Sequence, residues 1–167
     1  ENTAKIDVIA FDKTGTLTKN EMTVQAVYVN KMLFNVTGIG YDVKGEFTRD
    51  YKTIDLPDYP ELNKLLSYAT LCNGADLVKD KSGYKVIGDP TEGAILSCAA
   101  KINIWKKDLE GRFPFIEEIP FDSERKKMTI VRRDNSMVIA FIKGAPDIFL
   151  EDCVEIEDRG GARKLED

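Results

Sequence analysis

One aspartate stands where a catalytic carboxylate is expected. The apolar run of residues 6–11 ends at Asp12, and the letters KTGT follow. Functional groups in open α/β sheets lie at the carboxyl ends of strands, and a glycine-containing turn can offer several backbone N–H groups to an anion. Asp12 could therefore be a nucleophile that accepts a phosphoryl group. It could equally be a turn residue that caps the loop after the strand.

The residue two positions beyond Asp12 bears on this choice. A carboxylate there could act as a general acid–base and hydrolyse an aspartyl phosphate, but the sequence has Thr14. An acyl phosphate on Asp12 should then persist, as an energy-storing intermediate must. The sequence contains no histidine, which excludes Ser-His-Asp and Cys-His catalysis within this chain.

Four further residues have a structural interpretation from their local sequence, and each is also a candidate functional residue. Glu92 in GDPTEG follows Asp89 and Pro90, a pattern typical of a helix N-terminus. Phe121 precedes the charged run DSERKK and would by default be a core residue. Lys143 and Gly144 end an apolar run before Pro146, as a strand-to-helix turn would.

Composition limits the classes of function. The chain has 167 residues, a net charge of −5 and 43% hydrophobic residues, so it lacks the basic footprint of a nucleic-acid-binding protein. The cysteines Cys72, Cys98 and Cys153 form no CxxC pair and are expected to be buried thiols in a reducing compartment. No apolar run approaches the roughly 18 residues of a membrane-spanning helix, so the chain itself is expected to be soluble.

The elements that must position these residues follow from periodicity. The patterns predict strands over 6–11, 22–29, 32–36, 84–87, 113–120, 127–133 and 137–143. Helices are predicted from Pro60 to about Gly74, from Asp89, and briefly from Pro146. Residues 37–59 and the last fourteen residues show no clear period. The result is an α+β arrangement, an antiparallel sheet flanked by helices. The apolar first strand does not fit this sheet, because such strands normally need parallel neighbours.

Five motifs together resemble one protein family. They are DKTGTLT from Asp12, TLCN from Thr70, GDPTEGAIL from Gly88, PFDSERKKMT from Pro120 and KGAPD from Lys143. In this order they are similar to the P-type ATPases, the ATP-driven cation pumps of the haloacid-dehalogenase-like superfamily. The resemblance is to the type II branch, which includes calcium, sodium/potassium and proton/potassium pumps.

The resemblance implies a division of the chain. Residues 1–20 resemble the start of the phosphorylation (P) domain, which would explain the separate first strand as a piece of a haloacid-dehalogenase-like sheet. Residues 21–167 resemble the nucleotide-binding (N) domain, lacking its C-terminal end. The family's Thr-Gly-Asp and GDGxNDxP motifs do not occur in the sequence.

The resemblance also implies roles for individual residues. Asp12 would be phosphorylated by ATP, and Mg²⁺ would lie between Asp12, the carbonyl of Thr14 and distal carboxylates. Glu92 would accept a hydrogen bond from the adenine amino group, and Phe121 would stack on the ring. The full set of implied nucleotide-binding residues is Glu92, Phe121, Ser123, Lys126, Lys143 and Gly144. Calcium pumps often have arginine in place of Ser123, which weakens an assignment to that subgroup.

The implied ligand is ATP. The implied partners are the rest of the P domain, an actuator domain and transmembrane helices, all in the same polypeptide. The resemblance places this domain at the cytoplasmic face of a membrane. Calcium is the favoured ion, while sodium, potassium, protons and magnesium remain possible. The chain alone is expected to be a monomer, to bind no nucleic acid and to be inactive. Two alternatives stay open: a non-catalytic nucleotide-sensing domain and a fragment of a haloacid-dehalogenase-like phosphatase.

Overall fold

The computed structural model describes residues 8, 10–12, 18–81, 83–158 and 161–165. The strands are β1 Ala26–Val29, β2 Met32–Val36, β3 Phe47–Arg49, β4 Lys52–Thr53, β5 Asp76–Asp80, β6 Gly83–Ile87, β7 Phe115–Asp122, β8 Lys127–Asp134, β9 Met137–Gly144, β10 Glu155–Asp158 and β11 Gly161–Lys164. The α-helices are α1 Pro60–Leu71, α2 Pro90–Ala100, α3 Lys106–Arg112 and α4 Pro146–Phe149, with short 3-10 helices at Leu56–Asp58 and Leu150–Asp152.

The strands form antiparallel sheets. The first sheet has the order β1-β2-β3-β4, and a second has the order β7-β8-β9. The β5–β6 and β10–β11 pairs are separate hairpins. With helices interleaved between them, this confirms the predicted α+β class with antiparallel sheets. None of the helices in the described part of the chain is both long and apolar enough to cross a bilayer.

Two hydrophobic clusters hold the layers together. In the first, Phe34 and Phe47 of the first sheet pack with Leu62 of α1 and Cys98 of α2. In the second, residues of β8 and β9 pack with the end of α1 and with Phe113, which follows α3. The end of α1 therefore contacts the β7-β8-β9 sheet, and its beginning contacts the other sheet.

One buried charge joins the end of α1 to the second sheet. Arg132 of β8 is 1% exposed. Its Nε donates to the carbonyl of Leu71 at 2.8 Å, its Nη1 to that of Phe113 at 3.1 Å, and its Nη2 to Glu110 Oε1 at 3.1 Å. A buried guanidinium is tolerated only when its donors are satisfied, so these bonds fix where α1 ends against β8.

The predicted buried strand over 6–11 is wrong at the residues that the structure describes. Val8 and residues 10–12 lie in no strand, and Val8 and Phe11 are 83% and 62% exposed. An apolar strand becomes ordered by pairing with neighbours, and all strand pairs among the described residues are formed by later segments. The KTGTL part of the motif, residues 13–17, lies outside the described residues.

Several other predicted elements differ from the observed ones in length, and some observed elements were not predicted at all. The predicted strand over 22–29 is shorter, because only Ala26–Val29 pairs with β2. The segment 37–59, predicted to be irregular, contains β3, β4 and a 3-10 helix. The strands β5, β10 and β11 and the helix α3 have no counterpart among the predicted elements. The missed strands β3, β4, β10 and β11 have two to four residues and β5 is rich in charged residues, so no apolar alternation is visible in them, and α3 has only seven residues, about two turns.

Candidate functional site

A cavity of about 570 Å³ lies between the start of α2, strand β7 and the end of β9, and we name it the α2–β9 pocket. Its lining residues are Asp89, Thr91, Glu92, Ile95, Glu118, Phe121, Met128, Lys143 and Gly144. The volume is in the range of sites that hold small organic ligands.

The start of α2 is built by local chemistry. Asp89 has an extended backbone, and its Oδ1 accepts hydrogen bonds from the N–H groups of Thr91 at 2.8 Å and Glu92 at 3.1 Å. Pro90 occupies the first helical position, where its missing N–H costs nothing. The helix cap predicted for Asp89 and Pro90 is therefore present, and it leaves the Glu92 side chain available for other contacts.

Glu92 and Lys143 form a half-buried ion pair across the pocket floor. Lys143 Nζ lies 2.5 Å from Glu92 Oε1 and donates to the carbonyl of Cys72 at 2.6 Å. The Lys143 and Glu92 side chains are 27% and 14% exposed. Glu92 Oε1 also accepts from the N–H of Gly74 at 3.2 Å. The carboxylate is thus fixed by two donors while one side of it still faces the pocket.

Gly144 ends β9 where no side chain fits. A Cβ placed there would lie 2.6 Å from the carbonyl oxygen of Lys126 and 2.7 Å from Lys127 Cβ. The same Lys126 carbonyl accepts from the N–H of Ala145 at 3.0 Å. The close approach of these backbones requires glycine and brings Lys143 to the pocket floor.

Phe121 presents its ring to the pocket from an irregular part of β7. The register between β7 and β8 shifts between Ile119 and Asp122, which places Phe121 within a bulge. Bulges change the direction in which a side chain points. Phe121 is 64% exposed, whereas Met128, another lining residue, is only 5% exposed. An aromatic ring that is this exposed inside a cavity is available to stack on a flat ligand.

The turn after Phe121 holds the other two predicted residues. Asp122 Oδ1 accepts from the N–H groups of Glu124 at 2.9 Å and Arg125 at 2.8 Å, which closes the turn. Ser123 and Lys126 are both exposed on it, and Lys126 has a φ of 51°. The structure thus brings Glu92, Phe121, Lys143 and Gly144 together in the lining and leaves Ser123 and Lys126 outside it, on the adjoining turn.

Glu118 is a lining residue that the sequence did not indicate. A Cβ on Gly74 would lie 3.3 Å from both Glu118 carboxylate oxygens and 3.4 Å from Glu92 Oε2, so the two carboxylates converge on Gly74. In a regular strand, residues 118 and 121 would point to opposite faces. Only the bulge lets both line the same pocket, and no sequence pattern revealed the bulge. Thr91, Ile95 and Met128 were missed as well.

Two thiols near these elements are poor nucleophiles. Burial raises the pKa of the Cys72 thiol, and its Sγ donates to the carbonyl of Phe141 at 3.2 Å. Burial also raises the pKa of Cys98 to about 12. Reactive cysteines have lowered pKa values, so these side chains serve as packing residues, as the sequence suggested.

The phosphorylation and magnesium predictions concern a different part of the chain. Asp12 is exposed, and Thr14 lies outside the described residues. In the part of the chain that the structure describes, no three His, Cys, Asp or Glu side chains gather as a metal site would require. The roles of Asp12 and Thr14 in phosphorylation and in Mg²⁺ binding stay predictions.

The chain is similar to P-type ATPases in its family match and in its curated relatives. Residues 61–167 match the family model described as P-type ATPase, cytoplasmic domain N. The chain is 40% identical over 157 residues to the calcium-transporting ATPase of Bacillus subtilis, a match that covers 93% of this chain and 18% of that protein. It is 39% identical over 153 residues to the cation-transporting ATPase pma1 of Synechocystis, covering 87% of this chain and 17% of that protein.

A human relative is more distant. The chain is 33% identical over 159 residues to human calcium-transporting ATPase type 2C member 1, and the match covers 92% of this chain and 17% of that protein. The chain thus spans less than a fifth of the length of these curated relatives.

Proposed function

The chain belongs to the P-type ATPase family, and from this premise we propose that it binds ATP in the α2–β9 pocket as part of an ATP-driven cation pump. The observation that carries the proposal is the geometry of that pocket. An exposed aromatic ring, a fixed carboxylate and a half-buried ammonium line one cavity, contributed by Phe121, Glu92 and Lys143.

Charge in the pocket supports one orientation of the nucleotide. The lining has three carboxylates, from Asp89, Glu92 and Glu118, against one ammonium, from Lys143. A triphosphate would be repelled by this net negative charge. The purine base is neutral and its amino group donates hydrogen bonds, so it suits the acidic floor. The phosphates then extend outward, toward the turn that carries Ser123 and Lys126.

Each lining residue has a distinct part in this orientation. Phe121 stacks on the purine, and Glu92 accepts a hydrogen bond from its amino group. Lys143 holds the Glu92 carboxylate in place and offsets part of the negative charge. Gly144 lines the pocket with its backbone, since β9 packs there against the Lys126 carbonyl with no room for a side chain. Stacking of a base on an aromatic ring contributes about 1–3 kcal/mol. A millimolar dissociation constant corresponds to a binding free energy of about −4 kcal/mol, which one stacked ring and a few polar contacts could supply. We therefore expect the chain to bind ATP weakly.

We further propose that Asp12 is the phosphoryl acceptor in the longer protein. A carboxylate oxygen of Asp12 bonds to the γ-phosphorus while the bond to the β–γ bridging oxygen breaks, and ADP leaves with that electron pair. Thr14 carries no carboxylate that could speed hydrolysis of the product.

A domain boundary near residue 20 follows from the same proposal. Residues 18–25 contain no helix or strand, and Asn20 has a φ of 53°. This supports a connection between a P-domain segment, residues 1–20, and an N domain, residues 21–167. We also propose that the domain lies at the cytoplasmic face of a membrane, as part of a cation pump for which calcium is the favoured ion.

An ATP titration followed by NMR tests the pocket. Wild-type resonances of Phe121, Glu92 and Lys143 should shift at millimolar ATP. Phe121→Ala should weaken binding about 5- to 150-fold, since the stacking contribution is about 1–3 kcal/mol. Phe115→Ala is the matched control, because Phe115 is also an exposed aromatic residue of β7 but lies outside the pocket lining. Equal effects of the two substitutions, or no shifts at the pocket residues, would reject the proposed site.

A further inference from the structure

The segment that follows α1, residues 72–74, touches both charged residues of the pocket floor. The carbonyl of Cys72 accepts from Lys143 Nζ at 2.6 Å, and the N–H of Gly74 donates to Glu92 Oε1 at 3.2 Å. Between them, Asn73 Nδ2 donates to the backbone carbonyl of Glu92 at 2.9 Å. Three consecutive residues thus set the position of the ion pair relative to the rest of the domain.

Asn73 is the buried centre of this arrangement. It is 1% exposed, and both ends of its amide are used, because Oδ1 accepts from the N–H of Ala75 at 3.0 Å. The residue does not line the pocket, so it has no direct contact with a ligand there. Its amide instead ties the first turn of α2 to the end of α1.

The two oxygens of the Glu92 carboxylate are in different environments. Oε1 accepts from both Gly74 N–H and Lys143 Nζ. Among the described residues no side chain or backbone group donates to Oε2, which lies 3.4 Å from the point where a Gly74 Cβ would be. Oε2 is therefore an acceptor with a fixed direction, and that direction depends on where the first turn of α2 is held.

We infer that Asn73 is a positioning residue that makes the pocket prefer a 6-aminopurine nucleotide over a 6-oxopurine nucleotide. The inference rests on the proposed function, in which Glu92 faces the purine. A fixed acceptor pairs with an amino group and repels a carbonyl oxygen at the same position. Sites with such a directed polar group discriminate strongly between analogues, whereas loosely placed groups do not.

Asparagine is required at this position because it both donates and accepts. Asn73→Asp keeps the acceptor for the N–H of Ala75 but removes the donor to the carbonyl of Glu92. A carboxylate oxygen would then face a carbonyl oxygen with no proton between them. The first turn of α2 should move away, and Oε2 should move with it.

The test compares ATP with ITP, which has an oxygen in place of the 6-amino group. Dissociation constants for both are measured by calorimetric titration of wild-type chain, Asn73→Asp, Glu92→Gln and Ser97→Ala. Ser97 is a matched control, since it is 1% exposed, lies on α2, donates to the carbonyl of Ala94 at 3.1 Å and is outside the pocket lining. Loss of overall stability alone would weaken both nucleotides equally.

The expected result is a wild-type preference for ATP of about tenfold that Asn73→Asp reduces to about twofold, with ATP binding weakened about fivefold. Ser97→Ala should keep the wild-type ratio. Glu92→Gln should also lose the preference. If Glu92→Gln loses it while Asn73→Asp keeps it, the positioning role is overturned and the proposed function stands. If wild type and Glu92→Gln bind both nucleotides alike, the assignment of Glu92 fails, and the inference fails with it.

Gly74→Ala provides an independent variant that leaves Asn73 intact. Its added methyl group would lie 3.4 Å from Glu92 Oε2, an ordinary contact, and 3.3 Å from the Glu118 oxygens, which can give by a few tenths of an ångström. The variant keeps the Gly74 N–H and the Asn73 amide, so the ATP-to-ITP ratio should stay close to that of wild type. A fall as large as that of Asn73→Asp would show that the preference is sensitive to any change in this segment and would overturn the specific role of the Asn73 amide.

Discussion

Replacing Lys143 with methionine should destabilise the domain and weaken ATP binding together. The Lys143 ammonium lies 2.5 Å from Glu92 Oε1, with side-chain exposures of 27% and 14%. Removing one partner of a fully buried ion pair costs about 3–5 kcal/mol, and exposed pairs contribute about 0–1 kcal/mol. For this half-buried pair we expect a loss of about 2 kcal/mol, between those limits, because Glu92 keeps one donor, the N–H of Gly74.

The assay is urea and thermal unfolding of four proteins: wild type, Lys143→Met, Glu92→Gln and the double variant. A loss of about 2 kcal/mol should lower Tm by about 4–8 °C in a chain of this size. The double variant should lose less than the sum of the single variants, with a coupling of about 1–2 kcal/mol, since each substitution removes the same contact.

Lys64→Met is the matched control. Lys64 also pairs with a carboxylate, Glu157, at 2.5 Å, but the two side chains are 42% and 58% exposed. The Glu157 carboxylate raises the pKa of Lys64 through a hydrogen bond, yet solvent screens such a pair, and the loss should stay below about 1 kcal/mol. Additive effects of Lys143→Met and Glu92→Gln, or equal losses for Lys64→Met and Lys143→Met, would refute the reasoning.

Further predictions concern single residues. Gly144→Ala places a Cβ 2.6 Å from the Lys126 carbonyl, so it should cost about 1–3 kcal/mol in urea unfolding and weaken ATP binding. Burial raises the pKa of Cys98 from 9.0 to about 12, so the folded state favours the neutral thiol. The contribution of this thiol to stability should be complete below pH 9 and should decline between pH 9 and about 12. The stability of Cys98→Ala should therefore depend less on pH over that range. In the longer protein, Asp12→Asn should abolish acid-stable phosphoenzyme while ATP binding persists. Unchanged phosphoenzyme would reject Asp12 as the phosphoryl acceptor, whereas ATP binding with no phosphoenzyme even in wild type would favour the non-catalytic nucleotide sensor.

Much of the local structure could be predicted from the sequence. The starts of α1 and α2 and the β8–β9 hairpin depend on residues next to one another, such as Asp89 and Pro90, so they were predicted correctly. The end of α1 was predicted at about Gly74, but the helix ends at Leu71. The predicted strand over 6–11 was wrong at its described residues, because burial of an apolar strand depends on partners that local sequence does not reveal. The strands β3 and β4 were missed because three and two residues are too few to show an alternation of apolar and polar side chains.

The motifs also indicated Glu92, Phe121 and Lys143 one by one, but not how they meet. Glu92 and Lys143 are 51 positions apart, and their contact depends on where α1 ends against β9. The bulge in β7 brings Glu118 and Phe121 to one cavity. Such features result from the packing of distant elements and have no short-range signal.

The sequence by itself therefore determined the family, the α+β class and the identity of several candidate groups, since these depend on residue types in local order. The tertiary structure alone decided that Lys143 and the N–H of Gly74 fix one oxygen of Glu92 and that the buried amide of Asn73 holds the first turn of α2. Hydrogen bonds between segments far apart in the chain form only when donor and acceptor are placed to within a few tenths of an ångström. The packing of the core sets that placement.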